Sequence, residues 1–439
     1  MNIASIKPLM AWAFFFIILF FSPKMSYESR EKDKPIFKII VISDTHVLDP
    51  ALIKQYKANF EDHNRYSIKM FAESYDIFKK CIEKIIHEKP DIVLLTGDIT
   101  KDGEKSSHYL VAKGLRELEK KGIKVFVTPG NHDINSPRSY EYLKDQVIIT
   151  ENVKSGDFVN IYKEFGYDSC VSRDTNSLSY ISEPFEGLWI LALDANLYYD
   201  YSYPSYGKLK PETLKWASEM LEKGKKENKI IFGMMHHGLV KHFNVNEDWL
   251  KEVLITNHEE VAKELSSKGL NIIFTGHYHA QDISKAEIDG NFIYDVETGS
   301  TITWPCPYRI VDYFGNQRMH IQTKYIDYKS HGRFAHGLQK YAKSFLSAGL
   351  LRFAKDRHSN LVSFNENQKW HLAYMFKYAM MRHYAGDEKL DPNVIEQAKW
   401  IKGIDKELSK SFKSYCKDIP PKDNNLMINL KNGNCINSD

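Results

Sequence analysis

Five short clusters of nitrogen and oxygen donors are spread along the chain: Asp44-Thr45-His46, Gly97-Asp98, Asn131-His132-Asp133, His236-His237 and Gly276-His277-Tyr278-His279. Imidazole nitrogens and carboxylate oxygens ligate divalent transition metals, and these clusters together supply enough donors for two ions. Asp44 and His46 are two positions apart at a strand end, so both can point to one side and share a metal. Asp98 is the natural bridge between two ions, and Gly97 before it removes a side chain where the backbone must come close. Two cations about 3.5–4 Å apart can hold a bridging hydroxide in line with a phosphoryl group and stabilise the leaving oxygen. The five cysteines form no CxxC pair, so the ligands must be histidine, carboxylate and amide. Taken singly, each cluster is only a polar loop; their common placement behind apolar runs carries the reading.

Those apolar runs predict an α/β fold. Phe37–Ser43, Asp91–Thr96, Lys124–Thr128, Leu188–Leu193, Lys229–Met235 and Asn271–Thr275 are short and rich in β-branched residues, as strands buried on both faces are. Between them, Ile68, Phe71, Tyr75, Phe78, Ile82 and Ile85 mark one helix face. Further helices are expected over 104–120, after Pro211, and over 258–268. Functional residues at the C-terminal ends of such strands are the usual placement in open α/β sheets. Residues 135–186 read as a long polar insertion whose best helix is 158–165. The short alternating runs of 283–327 read as antiparallel strands finishing a second sheet. A tyrosine-rich loop (Tyr198, Tyr199, Tyr201, Tyr203, Tyr206) could stack a base or sugar, or simply pack.

The domain boundaries expected are 1–35 for a hydrophobic segment and linker, 36–330 for the catalytic domain, 331–419 for a small all-α domain and 420–439 for a loosely ordered polar tail. The apolar run Leu9–Ser22 has a lysine on either side and no small-x-small cleavage site after it. It reads as an uncleaved membrane anchor, the alternative being a cleaved signal with secretion. An extracytoplasmic catalytic domain is expected, although Lys24, Arg30, Lys32 and Lys34 put more positive charge after the run than before it. Three helices are expected in the all-α domain, the last opened by Asp391-Pro392. The stretch 333–419 carries 16 Lys/Arg against 9 Asp/Glu, which makes it basic within a chain of net charge only +3. That weak overall charge gives no reason to expect a nucleic-acid duplex as partner. Cys416 and Cys435 could bridge across the tail in an oxidising compartment.

The five clusters, in this order, resemble the motifs of the calcineurin-like metallophosphoesterase superfamily: D-x-H, G-D, G-N-H-D, a lone H and G-H-x-H. That resemblance implies a β-sandwich of two mixed sheets flanked by helices. It implies Asp44, His46, Asp98 and His279 on one metal and Asp98, Asn131, His236 and His277 on the other. The ions would be divalent or mixed-valence, drawn from Mn, Fe and Zn. His236 is chosen over His237 because the family's ligand directly follows the strand; His237 is left as a contact behind the ligand or with substrate. Asn131 would also touch substrate, and His132 would face the phosphoryl oxygens or the leaving group. Asp133 either holds the His132 ring as a catalytic partner or caps a following helix. Gly97-Asp98-Ile99-Thr100-Lys101-Asp102-Gly103 lacks the arginine of protein phosphatases, and Lys101 stands where purple acid phosphatases have a tyrosine. The chain is most similar to bacterial class III cyclic-nucleotide phosphodiesterases with a C-terminal helical domain. The expected activity is hydrolysis of a phosphodiester such as a 3′,5′-cyclic nucleotide. The alternatives are a phosphomonoesterase, a cell-envelope phosphodiesterase, or a non-catalytic metal-dependent binding protein.

Overall fold

In the computed structural model, the structure describes residues 34–53, 57–199, 205–243, 252–358, 364–389 and 392–437. The expected N-terminal anchor, Tyr201, Tyr203 and Asp391 lie outside the described residues. The chain runs through β1 (Phe37–Ile42), α1 (Lys57–His63), α2 (Ser74–Glu88), β2 (Ile92–Thr96), α3 (Lys105–Glu119) and β3 (Lys124–Thr128). A small hairpin, β4 (Tyr140–Tyr142) and β5 (Val147–Ile149), precedes α4 (Ser155–Ile161), β6 (Cys170–Arg173), β7 (Tyr180–Phe185) and β8 (Leu188–Leu193). Next come α5 (Pro211–Lys226), β9 (Ile230–Met235), α6 (His258–Ser267), β10 (Ile272–Thr275), β11 (Asp282–Ile288), β12 (Asn291–Glu297), β13 (Pro307–Phe314) and β14 (Arg318–Tyr325). The chain closes with α7 (Leu338–His358), α8 (Glu366–Ala385), α9 (Pro392–Lys402), α10 (Lys406–Tyr415), β15 (Asn425–Asn429) and β16 (Asn434–Asn437).

Two mixed seven-stranded sheets face each other. Their orders are β16-β15-β14-β13-β1-β2-β3 and β11-β12-β10-β9-β8-β7-β6. In the first, β1, β2 and β3 run parallel; in the second, β8, β9, β10 and β12 do. All six residues of β8 are buried because both of its faces are covered. Ile190 joins the cluster that holds Ile40, Leu94 and Val125 of the opposite sheet. Its neighbours Trp189 and Leu191 point the other way, against Leu214 and Leu221 of α5 and Val261 and Leu265 of α6. The two-residue period of a strand thus serves both layers, and each such aliphatic contributes about 1.5–3 kcal/mol by leaving water. The outcome is that the C-terminal ends of β1, β2, β3, β9 and β10 come together at one edge of the sandwich.

Several expectations are corrected. The polar stretch 135–186 is not wholly an insertion, because its last part supplies β6 and β7 of the second sheet. Residues 283–327 split between sheets: β11 and β12 finish the second, whereas β13 pairs antiparallel with β1 in the first. The tail is ordered. β15 adds to β14, and its alternation puts Leu426 and Ile428 inside while asparagines face outward, a period masked by the polar composition. Among the described residues the C-terminal region has four α-helices where three were expected, since the last stretch breaks at Gly403-Ile404-Asp405. There the Asp405 side chain caps α10 by accepting from Leu408 N. Cys416, buried, and Cys435, exposed, form no disulfide.

The helices of this region do not stand apart from the sandwich. Residues 35–439 make one compact unit. Leu346 and Leu350 of α7 and Met380 and Tyr384 of α8 share a buried cluster with Ala280, immediately after the Gly276–His279 turn. No helix among the described residues is long and apolar enough to cross a membrane.

Candidate metal centre

Three of the five clusters leave their strands by strained turns. Asp44, His46, Asp98, His277 and His279 all have positive φ, between 39° and 77°, a region that side-chain-bearing residues enter at a cost of about 1–3 kcal/mol. Such strain persists only where the surroundings hold it, and here the turns hold one another. A Cβ on Gly130 would fall 2.1 Å from Asp98 N and 2.2 Å from Asp98 Oδ1. A Cβ on Gly97, itself at φ +87°, would fall 2.5 Å from His236 Nδ1. Both glycines exist because backbone and ligand must nearly touch.

The side chains converge as two groups. Asp44, His46 and His279 form one, Asp98, His236 and His277 the other, with donor atoms within 4.8 Å of one another in each. His46 Nε2 lies 3.2 Å from His279 Nε2, 3.5 Å from Asp98 Oδ2 and 3.7 Å from Asp44 Oδ1. His236 Nε2 lies 3.3 Å from Asp98 Oδ1 and 3.2 Å from both Asn131 Oδ1 and His277 Nδ1. Asp98 therefore stands between the groups, one oxygen towards each. Thr96 O, 2.8 Å from His236 Nδ1, turns that ring so that Nε2 faces inward.

The donor set fits cations. Asp44 Oδ1 is buried 3.1 Å from His279 Nε2, and His46 Nε2 faces that same nitrogen at 3.2 Å. Burial, together with Lys69 beside His46, pushes the His46 ring well down, and burial with the neighbouring His237 and His236 does the same for His277. Burial would raise the carboxyls, yet His279 holds Asp44 down and His236 and His132 hold Asp98 well down. His46, His277 and His279 are thus held neutral beside charged carboxylates, the protonation state in which both ligate metal. His236 differs: burial would lower it, but the facing Asp98 carboxylate lifts it to about 9.

The residues around His132 correct one expectation. Asp133 does not touch the His132 ring, and no helix follows it. Its carboxylate accepts from Ile99 N, Thr100 N, Thr100 Oγ1 and Gly130 N at 2.8–3.0 Å, tying the Gly97 and Gly130 turns together. The partner of His132 is Asp102, whose Oδ1 lies 2.9 Å from Nδ1; Lys101 O lies 2.8 Å away. Burial would raise Asp102, but Lys101 and His132 hold it at about 2. Asp102 was visible in the Gly97–Gly103 stretch, but nothing in its spacing set it apart from a loop aspartate. His237 is likewise not open to substrate: it is fully buried, with Nε2 3.1 Å from Ser205 O and its ring 4.2 Å from that of His277. Tyr198 is buried and donates to Asp194 Oδ2 at 3.1 Å, so it packs, while Tyr199 is exposed. Lys69 was missed altogether; its Nζ lies 3.0 Å from His46 Nε2.

Comparisons with known proteins agree with this arrangement. A family model for calcineurin-like phosphoesterases matches residues 37–281, more than half of the chain. A probable glycerophosphodiester phosphodiesterase GpdQ of Arcobacter nitrofigilis is 26% identical over 46% of this chain and 58% of its own length. A probable cyclic nucleotide phosphodiesterase of Moraxella catarrhalis is 24% identical over 47% of this chain and 65% of its own. The DNA double-strand break repair protein Mre11 of Methanocaldococcus jannaschii is 32% identical over 27% and 31%. The chain spans less than two thirds of each of these curated relatives. Among solved structures, a dimetal phosphatase from Danio rerio aligns over 66% of this chain and 97% of its own, with 14% identity and a TM-score of 0.47. With a family match that runs from β1 through the turn carrying His277 and His279, this chain belongs to the calcineurin-like phosphoesterases.

Proposed function

We propose that the chain hydrolyses phosphodiesters with two metal ions, Asp44, His46, Asp98 and His279 holding one and Asp98, Asn131, His236 and His277 the other. The observation that carries this reading is the convergence of three buried donors, His46 Nε2 and His279 Nε2 at 3.2 Å and Asp44 Oδ1 at 3.1 Å from His279 Nε2. Cations bound there would supply Lewis acidity and a water acidified towards neutral pH. The protein's own residues then do the rest. His132, with Nδ1 tied to Asp102, presents Nε2 to the reacting group and delivers a proton to the departing alkoxide. Asn131 orients the phosphoryl group, and the buried walls of β1, β2 and β9 exclude bulk water. The mixed nitrogen and oxygen donors suit Mn, Fe and Zn alike.

A 3′,5′-cyclic nucleotide and a glycerophosphodiester are the two substrates to compare first, because the relatives named above carry those activities in their names. Membrane attachment through residues 9–22, with the catalytic part outside the cytoplasm, belongs to the same proposal. Purified full chain with Mn²⁺ should release nitrophenolate from bis-p-nitrophenyl phosphate, and Asp98→Ala should not. Equal release by both proteins would sink the reading. A panel of cyclic AMP, glycerophosphodiesters, a nucleoside monophosphate and a phosphopeptide then separates diester from monoester chemistry.

A further inference from the structure

A cavity of about 470 Å³ opens between the segment holding Phe60 and Phe71 and the helix α7. Phe60, Phe71, Tyr341 and Phe345 give it apolar walls. Of its cations, Arg333 is neutralised by Glu61, at 2.8 Å, and by Glu73, Arg65 pairs with Asp62 at 3.8 Å, and Arg352 donates to Arg65 O at 2.8 Å. Lys69 differs: among the described residues no carboxylate hydrogen-bonds it, and its Nζ points inward to His46 Nε2 at 3.0 Å. Phe71 also belongs to both places, its ring edge-on to the buried His46 ring at 5.8 Å between centroids.

The position of Lys69 is electrostatically specific. Its backbone is pinned, Lys69 N donating to Ser67 Oγ at 3.0 Å and the next amide, Met70 N, to Ile302 O at 3.0 Å. The ammonium is therefore delivered to the edge of the Asp44–His46–His279 group, and a cation taking the His46 Nε2 lone pair would free it for a neighbouring anion. Beside a divalent cation, an ammonium repels unless an anion lies between them. A phosphoryl group supplies that anion. A cavity of this size, with four aromatic rings set among charged and polar side chains and Lys69 on the side nearest His46, suits a ligand with an aromatic body and a phosphoryl end.

We propose that this cavity is the subsite for one ester arm of the substrate, and that Lys69 binds a phosphoryl oxygen at its inner end. The inference rests on the phosphodiesterase reading and narrows it to phosphoesters with an apolar or aromatic arm of about nucleoside size. It also gives α7 a part in substrate selection, since Tyr341 and Phe345 come from that helix.

The test uses two non-hydrolysable probes, phenylphosphonate and inorganic phosphate. Their binding to the metal-loaded full chain is measured by calorimetry and by competition against bis-p-nitrophenyl phosphate. Lys69→Met should weaken both probes about tenfold, as loss of one charge-assisted contact does, with metal content by mass spectrometry unchanged. Phe345→Trp, which fills the cavity, should weaken phenylphosphonate about tenfold more than phosphate. Phe345→Leu, a milder change that guards against misfolding, should move the same ratio in the same direction by removing aromatic contact. Phosphate binding unaltered in Lys69→Met, or equal weakening of both probes in the Phe345 variants, overturns the subsite. Wild type that hydrolyses no diester overturns the phosphodiesterase reading instead, and calorimetry still decides whether the subsite exists.

Discussion

His132 Nδ1 and Asp102 Oδ1 lie 2.9 Å apart, and this contact leaves Nε2 as the ring nitrogen facing the metal cluster, 3.8 Å from Asp98 Oδ2. Asp102 stays ionised because Lys101 and His132 outweigh the burial that would raise it. Asp102 is therefore a positioning residue for His132. Asp102→Asn should lower kcat about tenfold to a hundredfold, the usual effect of removing the group behind a functional imidazole. KM and metal content should change little, and Asp102→Glu should recover part of the rate. An unchanged kcat in Asp102→Asn would show that the contact is dispensable.

Metal should stabilise the fold as well as serve chemistry. The buried Asp44 carboxylate and the facing imidazoles crowd donor atoms that a cation would satisfy together. A ligand at a hundred times its dissociation constant adds about 2.7 kcal/mol. Scanning fluorimetry should therefore show a midpoint several degrees lower in EDTA than with Mn²⁺ or Zn²⁺, and His279→Ala should lose most of that response. Identical midpoints with and without chelator would refute this.

Glu104 predicts a pH dependence away from the ligands. It is fully buried, and burial raises it to about 8 although Lys101 pulls the other way. A raised carboxyl binds its proton more tightly in the folded state. Its contribution is complete below the ordinary value of 4.5 and is lost as pH rises through about 8. Glu104→Gln removes this titration. The melting temperature of the variant minus that of wild type should therefore increase between about pH 5 and pH 8. A difference that stays flat across this window would contradict the assignment.

Tyr278 sits between two candidate ligands and carries the C-terminal helices' grip on them. Its ring lies 5.6 Å from that of Phe243, 5.3 Å from His383 of α8 and 6.4 Å from Tyr384. Tyr278→Ala should cost about 2 kcal/mol of stability, below the 3–5 kcal/mol of a fully enclosed aromatic. It should also weaken metal retention during dialysis, because the His277–His279 turn loses its outer support. Full retention alongside the stability loss would limit Tyr278 to packing.

The sequence alone determined what local chemistry determines. Short apolar β-branched runs specify strands buried on both faces, and donors placed directly after them must meet at the strands' C-terminal edge. That was enough for the α/β class, and the order of the five motifs, through its resemblance to a known family, implied the family and the ligand set Asp44, His46, Asp98, Asn131, His236, His277 and His279. Tertiary structure decided what depends on residues distant along the chain. Asp133 and Asp102 are both aspartates in polar turns, and only the folding of one turn against the other tied Asp133 to backbone amides and gave His132 to Asp102. Lys69 lay in a segment without pattern, and its approach to His46 exists because Met70 N reaches Ile302 O across 232 residues. The asparagine-rich tail became β15 and β16 because β14 offered an open edge, and an edge strand's stability comes from its partner more than from its own composition.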